Sequence, residues 1–482
     1  MENNIRFRNH ISVIFEKVIK TAGAAILIFA ANFITEIEEV PRMSDILLLI
    51  GAIAACILLA FAWHYIIWSR TYISIQNNTL ILEKNTLNRK KNTIGISNIS
   101  NINLEQNLFE MALGTCKLKL DTNSLTTADQ TDVNIVLKKK DAENFRLYLL
   151  GLHEEEYTIT EVEKSGNSFN ASAKEIFLHG LFSLNFGTML LILAAIGSFI
   201  PLVQEMGSVE TTSGFESAIS IIVVVWIAGG MLWKVVREFL RYLEFSIARR
   251  EDKVYLEYGI IKRVGYSIPV EKINAVRLNQ TMIARLGKRY MVEVVNVGMG
   301  NDEEEQHSFF LPYGNKEKIE EQLKVLLPEF DIELESVSEK HAKGVVAVWM
   351  ANGIMWLGII APVAAIAAEI LEVGIAMVIV VLAVLMLYIV ILRASSYITD
   401  SVAVGDKFLQ IMQGHFSRYL LFVKYEKIQF LSLKQCIVAK RFGIEKGQIH
   451  LLASSKNQIH NLPYMKEENV ERLIKKVKSV KI

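Results

Sequence analysis

The chain has 482 residues, 51% hydrophobic and 21% charged, with a formal net charge of +1; its mean hydropathy is +0.30. That hydropathy is too high for a plain soluble enzyme. Six spans of ~20 residues would fill only about a quarter of the chain, so a transporter built of helices alone is excluded too. A near-zero net charge gives no sign of a nucleic-acid-binding protein.

The N-terminus starts polar, with Arg6, Arg8 and His10. The apolar stretch after it ends at Phe33 and Ile34 without a small-residue cleavage site, so it reads as a retained helix and not a signal peptide. Apolar blocks then come in pairs: Val18 to Ile34 with Ile46 to Trp68, Ile176 to Val203 with Ala218 to Trp233, and Val345 to Ile370 with Val373 to Leu392. The plan is a hairpin followed by a mixed segment, three times. The predicted boundaries are a hairpin over 1–68 and a domain over 69–152; a polar linker over 153–175, a hairpin over 176–239 and a domain over 240–330; then a linker over 331–344, a hairpin over 345–393 and a domain over 394–482.

Charge sets the expected orientation. The first connecting loop carries Glu36, Glu38 and Glu39 with one Arg42; the second carries Glu205, Glu210 and Glu216; the third turns around Glu369 and Glu372. Lys17, Lys20, Arg70, Lys234, Arg237, Arg241 and Arg393 flank the opposite helix ends. Basic residues stay on the cytoplasmic side. Both termini and all three soluble segments are therefore expected in the cytoplasm.

The soluble segments repeat a pattern. Ile99, Leu104, Gln106 and Gly114 recur as Ile273, Leu278, Gln280 and Gly287, and again as Ile428, Leu433, Gln435 and Gly443. Ile precedes Gln by seven residues each time, whereas the Gln-to-Gly step is eight, seven and eight. Short alternating runs broken by Asn, Asp or Gly predict strands and hairpins. Amphipathic helices are predicted to close the segments, over Asp141 to Leu150, Lys316 to Leu327 and Lys466 to Val477. The fold class is α+β: six transmembrane helices in three hairpins and three small curved sheets or part-open barrels, each capped by a helix.

On these three Ile-x(4)-Leu-x-Gln-x(6,7)-Gly cores, each placed after a hairpin, the chain resembles the bacterial membrane proteins with pleckstrin-homology (PH)-like domains, the bacterial PH type 2 or YdbT-like family. The resemblance covers nearly the whole chain. It implies a split barrel plugged at one end by the C-terminal helix, no enzymatic activity and no catalytic residues. It also implies a partner, a smaller membrane relative with one hairpin and one domain. The first repeat departs most, with Ser97-Asn98 where the others have Glu271-Lys272 and Glu426-Lys427.

The recurring Leu is read as a buried strand residue. The recurring Gln is read as bracing a turn through its amide, and the recurring Gly as supplying a turn with positive φ, or a bulge. Lys262, Arg263, Arg285, Lys288, Arg289, Lys440 and Arg441 are the candidates for lipid headgroup or partner contact, each gaining ~1 kcal/mol near an anionic surface.

Other motifs reduce to structure. The Gly298-Met299-Gly300 run leads into Asn301 and the acids Asp302 to Glu305, which would repel phosphate, so it reads as a surface loop. No His pair stands at i, i+4, no CxxC joins Cys56, Cys116 and Cys436, and no GxSxG is present, so neither metal, cofactor nor catalytic machinery is expected. His64 and His179 are placed at the membrane interface, while Asn185 and Asn352 are assigned to helix contacts. The expected function is a non-enzymatic scaffold or binding platform in a bacterial inner membrane, engaging membrane lipids and protein partners but no nucleic acid. The competing reading is an exporter protecting the envelope from membrane-active compounds.

Overall fold

The computed structural model describes residues 5–35, 43–86, 88–122, 133–150, 168–185, 229–230, 233–296, 309–330, 339–370, 374–453 and 455–480, with single positions 187, 197 and 332. The chain divides into two compact units, Met1–Ser165 with Ile261–Ser267, and Gly166–Ile260 with Ile268–Ile482.

The first unit begins with the strand Ile5–Phe7, followed by the helices Ser12–Thr35 and Met43–Ser69 and the strand Thr71–Gln76. The two strands pair antiparallel, Ile5 with Ile75 and Phe7 with Ile73. The helical hairpin is thus inserted between the first and second strands of a sheet. Asn77 and Asn78, at φ 47° and 58°, form the two-residue turn into Thr79–Asn85. Asn tolerates the left-handed region that such a turn demands. Arg89–Gly95 completes this four-stranded sheet.

A second set of strands runs Val133–Lys138, Thr115–Thr122 and Ile99–Gln106. Arg263–Gly265, part of this unit, pairs with Gln106–Leu104. Alternation brings Ile73, Leu80, Leu118, Leu120 and Ile135 into one core. The helix Lys139–Leu150 adds Leu149 to that core and buries Ala142 and Leu147.

The second unit contains a seven-stranded antiparallel sheet. Its order is Phe309–Asn315, Arg289–Val295, Ala275–Gln280, Arg418–Lys424, Phe408–Gly414, Ser401–Val404 and Glu339–Lys340. The central pairing joins the second repeat to the third, Ala275 opposite Val423 through to Gln280 opposite Arg418. One core crosses the junction, with Ala275 and Val295 packed among Leu409, Ile411, Leu421 and Val423. The last strands, Ile428–Lys434, Ile444–Leu451 and Ile459–Asn461, form a separate sheet. The helix Glu467–Val480 caps the third repeat with Val470 and Leu473 buried; Lys316–Leu326 does so for the second with Ile319, Leu323 and Leu326.

Three expectations are corrected. The stretches expected as linkers over 153–175 and 331–344 contain strands: Ser168–Asn170 pairs with Ala248–Ser246, and Glu339–Lys340 pairs with Val402–Ser401. Strands of two or three residues are too short to show alternation. Ile176 does not begin an apolar span, because Ala173–Phe182 is a capped helix with Ile176, His179 and Gly180 buried, and it ends at Ser183. Leu104 and Leu433 are half-buried where Leu278 is fully buried. Leu278 lies between Val292 and Leu420, whereas Leu433 has a partner, Gly447, on one side only.

Three described helices are long and apolar enough to cross a bilayer, Ile50–Ser69, Val345–Ile370 and Ile375–Thr399. Most of the second expected hairpin, all three of its loop acids, the first loop's Glu36, Glu38, Glu39 and Arg42, Glu372 and the Asp302 to Glu305 run lie outside the described residues.

Candidate site at the base of the third hairpin

The recurring Gln does the same job in every repeat. Gln106 Nε2 donates to the Thr115 carbonyl at 2.8 Å, Gln280 Nε2 to Arg289 at 2.9 Å, and Gln435 Nε2 to Ile444 at 3.3 Å. Each bond spans nine residues and encloses a five-residue helix: Leu108–Ala112, Met282–Leu286 and Ile437–Arg441. The residue after each Gln is the helix N-cap. Asn107 and Thr281 are ordinary caps, and in the third repeat Cys436 Sγ accepts from Ala439 N at 3.4 Å.

The glycine assignment holds in two repeats and fails in one. Gly114 and Gly443 are left-handed, φ 62° and 58°, but in the second repeat Lys288 takes that conformation at φ 50° and Gly287 does not. The left-handed position is always eight after the Gln, which accounts for the seven-residue step to Gly287. Gly287 has another reason to be small: a Cβ there would stand 3.0 Å from Phe182 Cε1.

The seven basic candidates are divided between the two units. Lys262 and Arg263 belong to the first unit, where Lys262 pairs with Glu105 at 3.4 Å and Arg263 stands opposite Gln106. Arg285 Nη1 donates to the carbonyls of His415 and Phe416 at 2.9 and 3.3 Å. Arg289 is a half-buried strand residue. Lys288, Lys440 and Arg441 are exposed beside the exposed Leu286, Ile437 and Phe442. The recurrent Lys427 uses its Nζ on the Glu271 carbonyl, 2.7 Å away, across the junction between repeats.

A cavity of about 290 Å³ lies at the foot of the third hairpin. Trp349 comes from the first turns of Val345–Ile370, Arg393 and Ser396 from the end of Ile375–Thr399, and Lys446 from the strand Ile444–Leu451. Asp400, the C-cap of Ile375–Thr399, accepts from Gly414 N at 3.1 Å. Gly414 is obligatory there, since φ is 139° and a Cβ would meet the Ser417 carbonyl.

Asp400 Oδ2 also faces His341 Nε2 at 3.4 Å. His341 Nδ1 accepts from Tyr464 N at 3.2 Å, which assigns the proton to Nε2 and makes that atom the donor to Asp400. Ser396 Oγ and His415 Nδ1 are 2.9 Å apart. Burial pushes the Tyr419 phenol up, so it stays neutral and donates to Gln413 Oε1 at 2.7 Å.

Asp400 is thereby occupied, while two cations remain available. Arg393 lies over the Trp349 ring at 5.4 Å, and Lys446 is exposed with no ion pair among the described residues. A lining of two cations, hydroxyls and an aromatic face suits an anion such as a phosphate, in a volume at the small end for ligand sites.

The sequence reading missed His341 and the residues around it. The signal was present: Leu311-Pro312-Tyr313 and Leu462-Pro463-Tyr464 recur, and the second repeat uses His179 Nδ1 on Tyr313 N, at 3.3 Å, in the same way. His179 is thus a buried brace packed on Tyr242, Phe309 and Tyr313, which corrects its placement at the membrane interface. Among the described residues, no group of three His, Cys, Asp or Glu side chains is arranged to hold a metal ion.

Residues 25–153, 189–327 and 354–481 each match the bacterial PH domain family. The chain belongs to that family and holds its domain three times. It is similar to the UPF0699 transmembrane protein YdbT of Bacillus subtilis (strain 168), 24% identical over 307 residues, which is 59% of this chain and 62% of that protein. The match therefore spans less than two thirds of the relative's length. No solved structure matches the chain. Apolar helices and repeated bacterial PH-like domains make this a membrane protein.

Proposed function

We propose that the chain is a non-enzymatic scaffold of a bacterial inner membrane, with six spans in three hairpins and both termini and all three PH-like domains in the cytoplasm. The observation that carries this reading is the sheet shared by the second and third repeats, Ala275–Gln280 on Arg418–Lys424. A joint of six paired residues with a common core fixes two domains as one body on their hairpins. The partners are membrane lipids and a smaller single-domain membrane relative. The lipid contact is the cavity under the third hairpin, where Arg393 and Lys446 take the phosphate of an anionic headgroup. No observation on the described residues favours the exporter reading.

Purification of the full chain in native lipid discs, with identification of the retained lipids, tests the headgroup contact. Anionic phospholipid enriched over the bulk membrane is expected, falling severalfold in the Arg393→Gln/Lys446→Gln double variant. Equal lipid in both proteins would remove the cavity from the proposal. The scaffold reading is tested separately, by identifying the membrane proteins held in the same discs; it would be abandoned if none is held.

A further inference from the structure

One strand pairing occurs twice. At the first, inside the first unit, the strand ending in Gln106 pairs with Arg263–Gly265. At the second, the strand ending in Gln280 pairs with the strand starting at Arg418. Gln stands opposite Arg at both. In the second junction Arg418 Nε donates to Gln280 Oε1 at 2.6 Å, while Gln280 Nε2 holds its own turn.

Two halves of such a junction are left over. The last Gln-ended strand, Ile428–Lys434 before Gln435, is the edge of its sheet among the described residues. The first Arg-started strand, Arg89–Gly95, is likewise an edge among the described residues. It leads into a short 3₁₀ helix, Ile96–Asn98, as Arg263–Pro269 and Arg418–Lys424 lead into Val270–Lys272 and Tyr425–Lys427. Arg89 therefore occupies the position of Arg263 and Arg418.

We infer that Ile428–Lys434 of one copy pairs with Arg89–Gly95 of a second copy, repeating the internal junction between chains. The register follows from the second junction: Gln435 faces Arg89, Ser432 faces Asn92 and Phe430 faces Ile94. Several features fit this occupant. Gln435 Nε2 is engaged with Ile444 and with Glu467 Oε1, at 3.3 Å each, and its Oε1 has no partner among the described residues. An incoming Arg89 guanidinium finds that oxygen and the exposed Glu467 carboxylate together. Arg89 itself is exposed without an ion pair among the described residues. Phe430 is 58% exposed on an edge of unpaired backbone groups, which is a template for another strand.

Lys90 and Lys91 guard the other edge against indiscriminate pairing, and Lys434 would face Lys90 across the joint. Like charges directly opposite weaken a strand pair, and the attraction of Arg89 to Glu467 offsets that repulsion at the same end of the joint. Pairing of unlike surfaces repeats head to tail, as a closed ring where the rotation between copies closes and as an open row where it does not.

The test uses full-length chains in native membranes, free of the natural cysteines. Ser432→Cys and Asn92→Cys chains carrying different tags are co-expressed and mildly oxidised. Facing residues of an antiparallel pair lie within disulfide reach. The expected result is a crosslinked dimer bearing both tags, at least fivefold above the one-residue-shifted pair Leu433→Cys with Asn92→Cys. Arg89→Gln should reduce it severalfold. Asn279→Cys with Tyr419→Cys in one chain reports that the internal junction has formed. With that intramolecular disulfide present, absence of the two-tag dimer overturns the proposal. So does a Ser432–Asn92 disulfide confined to single chains, or one made only to a different protein.

Discussion

At the scale of single residues, the position eight after each recurring Gln must be left-handed, and only the second repeat puts a side chain there. A non-Gly residue in that region costs about 1–2 kcal/mol, partly offset by the chain freedom that Gly loses on folding. Lys288→Gly is therefore expected to stabilise the chain by ~0.5–1 kcal/mol in thermal unfolding. Gly443→Ala is expected to destabilise it by ~1 kcal/mol, with no clash to blame, because nothing lies within 4 Å of the added Cβ. Equal melting of both variants and the parent would sink the assignment.

His460 makes a second residue-scale case. Burial, and then the charge on Arg277, hold its pKa at about 3 against an ordinary 6.5, and its Nε2 donates to the Asn457 carbonyl at 2.9 Å. The unfolded chain binds this proton first as pH falls. The stability this residue contributes is complete above about pH 6.5 and is lost progressively towards pH 3, on the order of a few kcal/mol. Unfolding of His460→Gln should show a shallower acid slope than the parent over that window; parallel slopes would exclude His460 as the source.

Elements differ in how openly the sequence announces them. Closing helices such as Glu467–Val480 are long enough for helical spacing to show, and the Asn77-Asn78 turn has turn chemistry of its own. The strands ahead of each hairpin, Ile5–Phe7, Ser168–Asn170 and Glu339–Lys340, have no such signal and are defined by the partner they meet after the hairpin. The Gln braces were legible because one residue type recurs with one job. The cavity was not, because its lining comes from two helices, four strands and the turns beside them, which only folding brings together.

Leu278 and Leu433 show the same limit. The motif makes them equivalent, but the following repeat covers only the first. Leu278→Ala should cost ~2–5 kcal/mol, as for a buried leucine, and Leu433→Ala about half as much or less. Unfolding of the full chain in discs measures both. Equal losses would mean that the edge strand is covered in the native membrane.

Orientation is a property of the whole molecule, and the chain contains its own reporters for it. With Lys and Arg flanking one set of helix ends, the proposed arrangement puts all three domains in the cytoplasm. Cys436 is exposed on the third repeat, while Cys116 is buried in the first with its thiol pushed up to about 12 by burial and by Glu110 nearby. A thiol reacts as the thiolate, so Cys116 stays silent to maleimide until the domain is unfolded, and Cys436 answers for the side of the membrane. In intact cells an impermeant maleimide should leave Cys436 unmodified and should label it after permeabilisation. Cysteines placed at Glu38 and Ser213 should react in intact cells, and one at Ser479 should behave as Cys436 does. Labelling of Cys436 or the Ser479 site before permeabilisation would reverse the topology, and with it the assignment of Arg393 and Lys446 to the inner leaflet.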